Sequence, residues 1–460
     1  MSSRISLGIK SPLGRSSERS PKLSRRAFRP AGVHLIPAGV HLIPAGLHLI
    51  GYGRAYSTIR FPDSKGAISY TPLRDSRCRC NRDQLHAFCP HIGRIDVHTA
   101  ARRSYLASWG VQSKGTHIAN LPARDLTHIF YAFALIDSSG RVALGDARVD
   151  PGNFADLARL KSSNPHLKLL ISVGGWTGSG RFSDAALTAA SRRRFTESAL
   201  DLFIRRSPRL FDGIDIDWEF PVAGGMEGNV ERPVDREDFS LLLEELRRQL
   251  DGQGVKDNRH YELTIAASAR APEIANIELS RIEPLLDFIN VMTYDYHSAP
   301  GKTNFNAPLY SPPSDPTPGW NVDASMRSFT KAGVPANKLL VGVPFYGHAY
   351  GQVPNANAGL YQPGTQNPAG WKQGDGDWRV LSQTRLNDPR YARHWESTAR
   401  VPWLYDSTSG TWVSYDDPES VAAKATYVRE HGLGGVVIWE LGGDDGALMR
   451  AITASLRANN

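Results

Sequence analysis

The segment Asp212-Gly-Ile-Asp-Ile-Asp-Trp-Glu219 places three acids, Asp215, Asp217 and Glu219, at every second position of an otherwise apolar stretch. In a β-strand that spacing sends all three side chains to one face, successive members standing about 7 Å apart at a rise of roughly 3.3 Å per residue. Like charges so close raise one another's pKa, so the row is costly to keep fully ionised and is poor material for stability. Ile214, Ile216 and Phe220 give the other face the character of a buried strand rather than a solvated one. The last acid of such a row suits proton donation, its carboxyl kept protonated by the charge of its neighbours. A cation site fits badly, because the intervening residues are Ile, Trp and Gly rather than further ligands.

Three other motifs stand in order around this row: Ser172-Val173-Gly174-Gly175-Trp176, Met292-Thr293-Tyr294-Asp295, and Trp439-Glu440 near the C-terminus. The row resembles the D-x-x-D-x-D-x-E signature of glycoside hydrolase family 18, the chitinases. With the flanking motifs the resemblance runs over roughly residues 103 to 455 and points to the deep-cleft bacterial type. It implies hydrolysis of the β-1,4 bonds between N-acetylglucosamine units of chitin with retention, by the substrate-assisted exception to the two-carboxylate scheme. On that resemblance Glu219 protonates the glycosidic oxygen and later serves as base for water, while the sugar's own N-acetyl carbonyl attacks the anomeric carbon. Asp217 holds the acetamido N–H, Asp215 shares a proton with Asp217, and Tyr294 donates to the acetamido oxygen. Met292 and Asp295 shape the pocket, and no metal or cofactor is implied.

A groove for a polysaccharide needs flat aromatic floors, because sugar rings expose apolar C–H faces. Trp439 is the candidate floor under the reacting sugar; Tyr105, Trp109 and Trp176 are candidates for outlying sugars, with barrel packing the alternative for Tyr105. Phe133 and Tyr346, at other strand ends, complete the candidate substrate-binding set. Three stretches depart from the family's usual pattern. His348 stands where Arg is usual after Val343-Pro344-Phe345-Tyr346-Gly347, which weakens one sugar contact. Ser298 and Pro300 replace a usual Gly and a following aromatic, which weakens the platform for the leaving sugar. Ser113-Lys114-Gly115-Thr116-His117 differs from the more common Gly-Arg-Asn-Tyr stretch.

Short apolar runs that can carry these residues recur at Tyr105–Trp109, His128–Leu135, Leu167–Gly174, Gly213–Phe220, Glu262–Ser268, Phe288–Tyr296, Leu339–Tyr346 and Gly435–Leu441. Between them lie helical patterns, such as Ala185–Ile204 and Arg236–Leu250, and Asp417-Pro418 reads as a cap leading into Val421–Glu430. Eight such alternations predict an α/β fold, a (β/α)8 TIM barrel, with chemistry at the C-terminal strand ends. Glu219, Tyr294 and Trp439 fall there by count. The interval from Tyr346 to Gly435 is too long for one loop and helix. Its excess, 349–416, carries Trp371, Trp378, Trp395, Trp403 and Trp412, which predicts a small α+β insertion between strands 7 and 8 whose aromatics mostly form its own core.

The charge sits at one end. Residues 1–100 hold 16 Lys and Arg against 5 Asp and Glu, whereas residues 101–460 hold 38 against 41. The high isoelectric point therefore says nothing of nucleic acid. Residues 30–50 are three copies of a proline-led heptapeptide, which cannot continue a helix or build a domain. Ser24-Arg25-Arg26-Ala27-Phe28 has a twin-arginine export flavour, but His34, His41 and His48 interrupt the apolar run, so a low-complexity, disordered leader is expected for 1–100. Cys78, Cys80 and Cys89 do not have zinc-knuckle spacing. The catalytic part, 101–460, lacks cysteine and needs no disulfide. The expectation is a secreted monomer acting on chitin and chitooligosaccharides, with no nucleic-acid or membrane partner. A related endo-β-N-acetylglucosaminidase activity is the alternative; a sugar-binding lectin is disfavoured by the acid at 219.

Overall fold

A computed structural model describes residues 100–206, 210–366 and 368–458. The expected leader, the heptapeptide repeat and the three cysteines all lie outside the described residues. Eight strands, β1 (Ala101–Ala107), β2 (His128–Ile136), β3 (Lys168–Gly174), β4 (Gly213–Asp217), β5 (Glu262–Ser268), β6 (Phe288–Met292), β7 (Leu339–Pro344) and β8 (Gly435–Trp439), follow one another in the chain. Each pairs in parallel with the next, and β1 also pairs with β8, so the sheet closes into a barrel. Parallel neighbours need crossovers, and helices such as Asp150–Ser163, Asp235–Asp257 and Pro418–Glu430 supply them.

Strand alternation sorts the side chains. Leu106, Ile129, Ile171, Ile214, Ile216 and Val341 join the main apolar cluster with the helices, while Tyr105, Phe130, Ala132, Leu170, Leu340 and Val437 form a separate small cluster in the barrel's interior. Asp215 belongs to this inner set by parity, which is why its carboxyl is buried.

Every expected strand exists, but four boundaries differ for a physical reason. β1 begins four residues earlier than the apolar pattern starts, at Ala101, because Arg102 and Arg103 occupy it. Arg103 is nevertheless only 1% exposed, its guanidinium lying 3.4 Å from the centre of the Phe288 ring, and a buried arginine does not read as strand. Conversely β4, β6 and β7 end before Trp218, Tyr294 and Tyr346. Those aromatics extend the apolar pattern past the strand ends: Tyr294 lines the cleft, Tyr346 donates to Asp295, and Trp218 packs in the main core against Phe182 and Phe239. The helix expected over Ala185–Ile204 is broken: Ala189–Ala199 is α-helical and Leu200–Arg205 winds as one π-turn. Asp417 caps its helix as expected, accepting from the backbone of Glu419 and Ser420, both at 3.0 Å.

Between β7 and β8 four short antiparallel strands form a second sheet: His348–Tyr350, Thr411–Ser414, Val401–Asp406 and Ala392–Glu396, in that order. Trp403 and Trp412 pack on its core with Tyr350, Tyr405 and Phe305, so their hydrophobicity is structural. Trp378 is also buried, lying nearly parallel to Tyr415. Among the described residues no helix is long and apolar enough to cross a membrane.

Candidate active site

A cleft of about 490 Å³ opens at the C-terminal ends of the strands, where Asp217, Glu219, Tyr294, Asp295, Met292, Trp109, Phe133, Trp176, His348 and Trp439 all line it. The acid row enters it as a gradient of burial. Asp215, within β4, is fully buried and accepts from four donors: Tyr105 Oη at 3.0 Å, Ser172 Oγ at 2.7 Å, Thr264 Oγ1 at 2.6 Å and Asn290 Nδ2 at 3.1 Å. Burial pushes its pKa up and these donors pull it back, leaving it raised. No hydrogen bond joins it to Asp217. Asp217 is also buried, its Oδ1 has no partner, and burial, then Glu219, then Asp215 push its pKa well above the carboxylate range.

Glu219 lies just past the strand and is half-buried. Its backbone N–H donates to Ser179 Oγ at 2.8 Å and its carbonyl accepts from Asn229 Nδ2 at 3.1 Å, so the main chain is fixed while the carboxyl faces the cleft. Its pKa is pushed up to about 8, first by desolvation and then by the charge of Asp295. The mutual effect expected within the row operates, Glu219 and Asp215 both raising Asp217, and a further charge acts on Glu219. The charge that helps keep Glu219 protonated comes from Asp295, beyond the end of β6.

Asp295 is exposed to the open groove yet ringed by its walls. Burial raises its pKa, but His348 Nε2 at 2.7 Å and Tyr346 Oη at 2.6 Å on the same oxygen bring it below the usual carboxylate value. Its backbone has φ 55°, a left-handed conformation that Asp tolerates, and is tied down by Asn306 Oδ1 on its N–H at 2.8 Å and Arg270 Nη2 on its carbonyl at 2.8 Å. His348, the departure from arginine, thus lines the cleft while hydrogen-bonding Asp295. Tyr294 stands between these acids; burial, then Asp217 and Asp295, raise its pKa far above the ordinary phenol, so it stays a donor.

The aromatic candidates separate into two kinds. Trp439, half-buried, lies 5.7 Å from Phe133 with planes 21° apart, and 6.4 Å from Trp109. Trp109 and Trp176 remain 49% and 48% exposed, as sugar platforms must be. Tyr105 is different: it is 2% exposed, stacks on Phe130 at 4.9 Å and turns its hydroxyl to Asp215. It touches the cleft from beneath and is a packing and positioning residue rather than an outlying platform. Residues that the motif search left without a role are Thr264, Asn290, Ser179, Asn306 and Arg270. The first two carried a signal, a polar residue on the inward parity of a largely apolar strand. The rest come from loops, where no periodicity exists to reveal them.

The pH dependence follows from Glu219. Its donating form exists below about 8, so kcat/KM is expected to fall as pH rises through that value. Because Asp295 contributes to the shift, Asp295→Asn is expected to move that alkaline limb to lower pH. An unmoved limb in a pH–rate profile of the variant contradicts the electrostatic assignment.

Residues 103–444 match the family model of the glycosyl hydrolases family 18. Chitinase A1 of Niallia circulans is 39% identical over 393 residues, a match that takes in 74% of this chain and 56% of that protein. Among solved structures, Chitinase ChiA74 from Bacillus thuringiensis superposes with a TM-score of 0.73 at 33% identity, covering 78% of this chain and 69% of the other. A family 18 N-acetylglucosaminidase from Paenibacillus barengoltzii superposes with a TM-score of 0.68 at 34% identity, covering 77% and 99%. A closed eight-stranded parallel barrel with the acid row at the end of β4, and a family match over most of its length, place this chain in glycosyl hydrolase family 18.

Proposed function

We propose that the protein is a chitinase that hydrolyses β-1,4 bonds between N-acetylglucosamine units with retention, using Glu219 as acid and then base. The observation that carries this reading is the Glu219 carboxyl, half-buried in the cleft with its pKa raised to about 8, facing a floor made by Trp439. A carboxyl in that state is protonated at neutral pH and can protonate a leaving oxygen. Three other acids stand nearby, and none is placed as a free nucleophile: Asp295 is ionised, but Tyr346 and His348 occupy one of its oxygens. Asp215 is buried behind its four donors, and Asp217 is buried with its pKa raised by desolvation and by Glu219.

The substrate's acetamido carbonyl fills that role. It attacks the anomeric carbon as the glycosidic bond breaks, and the leaving oxygen takes the proton of Glu219. Asp217 and Tyr294 line the pocket where the acetamido group lies, Asp217 to orient its N–H and Tyr294 to donate to its oxygen. Water activated by Glu219 carboxylate then reopens the cyclic intermediate with the original configuration. The sheet between β7 and β8 carries His348 to the groove and forms one of its walls. Acting on a polymer outside the cell fits secretion and a monomeric enzyme. The likeness to an N-acetylglucosaminidase keeps shorter or other N-acetylglucosamine glycans as a second substrate class.

The test is a set of chitin oligomers of defined length with product anomers resolved, beside fully deacetylated chitosan and cellulose. Chitin oligomers are expected to give the β-anomer first, and the two polymers lacking the acetamido group to resist. Release of the α-anomer would mean that water attacks first, and the assigned roles of Asp217 and Tyr294 would fall.

A further inference from the structure

Beside the main cleft lies a second one of about 330 Å³, in the size range of ligand sites, with Arg270, His297, Lys302, Asn304, Thr317 and Trp320 in its lining. The two share Arg270 and Ser298. Strand order fixes which way this second cleft leads. Glu219 follows β4 and Trp439 ends β8, so in a closed eight-stranded barrel they face each other across the mouth. Trp109, Phe133 and Trp176, on or after β1, β2 and β3, occupy one half; Arg270 and Ser298, after β5 and β6, occupy the other. A sugar chain laid over Glu219 and Trp439 with one end on Trp109 is therefore directed past Arg270 and Ser298 toward the second cleft.

Trp320 stands in that path. Among the described residues three tryptophans are exposed, Trp109, Trp176 and Trp320, and the first two line the main cleft. Trp320 is 36% exposed and lines the second cleft. Its ring is also held. The Arg270 guanidinium lies 5.0 Å from its centre and donates to the Asp295 carbonyl, and the His297 ring lies 5.3 Å away at 30°, fixed by the Phe305 carbonyl at 3.0 Å and Thr317 Oγ1 at 2.8 Å. A rigid, partly open indole flanked by hydroxyl, amide and ammonium groups is what a sugar ring needs: a flat surface for its C–H face and polar partners for its edge.

We propose that Trp320 is a sugar-stacking platform on the leaving-group side of the scissile bond, binding an N-acetylglucosamine unit of the chain that departs. The proposal rests on the chitinase reading above, which sets the bond cleaved, and takes the Trp109 half of the mouth as the side that is retained. Arg270 joins the two clefts, tying the platform to Asp295 and so to the reacting end.

The test compares the full chain with its Trp320→Ala and Trp320→Phe variants on two substrates. One is the chitin hexasaccharide, long enough to reach Trp320. The other is an aryl β-glycoside of chitobiose, whose leaving group ends short of it. In Trp320→Ala the ratio of kcat/KM for the hexasaccharide to that for the aryl glycoside is expected to fall roughly tenfold, the usual scale for truncating a stacking aromatic. Trp320→Phe, which keeps a flat ring, is expected to retain most of it. A ratio within a factor of two of the parent in Trp320→Ala overturns the assignment. So does an equal fall on both substrates, which marks a structural role. If the parent cleaves neither substrate, the chitinase reading fails and takes the platform with it; if the parent cleaves both, only the platform is at stake.

Discussion

Replacing Glu219 by Gln is expected to leave the fold and sugar binding intact and to lower turnover by roughly a hundred- to ten-thousand-fold, the usual contribution of a general acid. The amide has nearly the same shape and hydrogen-bonding reach but cannot give up a proton. The main chain at 219 is held by Ser179 and Asn229, neither of which touches the carboxyl, so the substitution does not disturb it. The variant also removes a buried group whose ionisation is opposed by its surroundings, so stability at neutral pH is expected to hold or rise slightly. Thermal melting and oligosaccharide binding measured alongside kcat check both halves. Turnover within a few-fold of the parent would sink Glu219 as the proton donor.

Asp215→Ala is expected to be the most destabilising of the site substitutions, by roughly 3–5 kcal/mol, because a buried partner is removed and its donors are stranded. Four of them converge on Asp215 from β1, β3, β5 and β6, so this carboxylate ties together half the strands of the barrel's inner surface. Asp215→Asn is expected to cost less, since one amide oxygen still accepts while the NH2 faces donors. Activity should fall in both variants, because Tyr105 and Asp217 lose the group that sets their surroundings. Denaturant titration of the three proteins provides the measurement. A loss below about 1 kcal/mol for the Ala variant would show that the four donors find other partners, and Asp215 would then be a tuning group only.

The barrel was legible because its strands are short apolar runs and eight parallel strands closed by crossovers have few alternatives. Legibility failed where side chains contradict their environment. Arg103 is a charged residue buried against Phe288, so β1 reads as starting too late. Trp218, Tyr294 and Tyr346 are apolar in type but placed in loops, so three strands read as too long. The acid row was plain, since period-two spacing survives in any strand. The partners of the row were not. Ser172 and Thr264 meet Asp215 only when β3 and β5 pair with β4 in register, and Asn290 only when β6 follows them in the sheet.

What the sequence by itself determined is the identity and facing of the chemical groups: which acids share a face, which aromatics end strands, and that the chain alternates strand and helix eight times. Those properties are local, set by side-chain type and a period of two or 3.6 residues. The tertiary structure alone decided how each group is charged. Asp215 lies behind four donors, Asp217 is left without them, and Glu219 takes its high pKa from desolvation and from Asp295, which follows a different strand. It also decided that Tyr105 serves Asp215 while Trp320, from a loop with no motif, stands open beside the groove. Protonation state depends on solvent exclusion and on charges a few ångströms away through space, and neither distance is written in residue spacing.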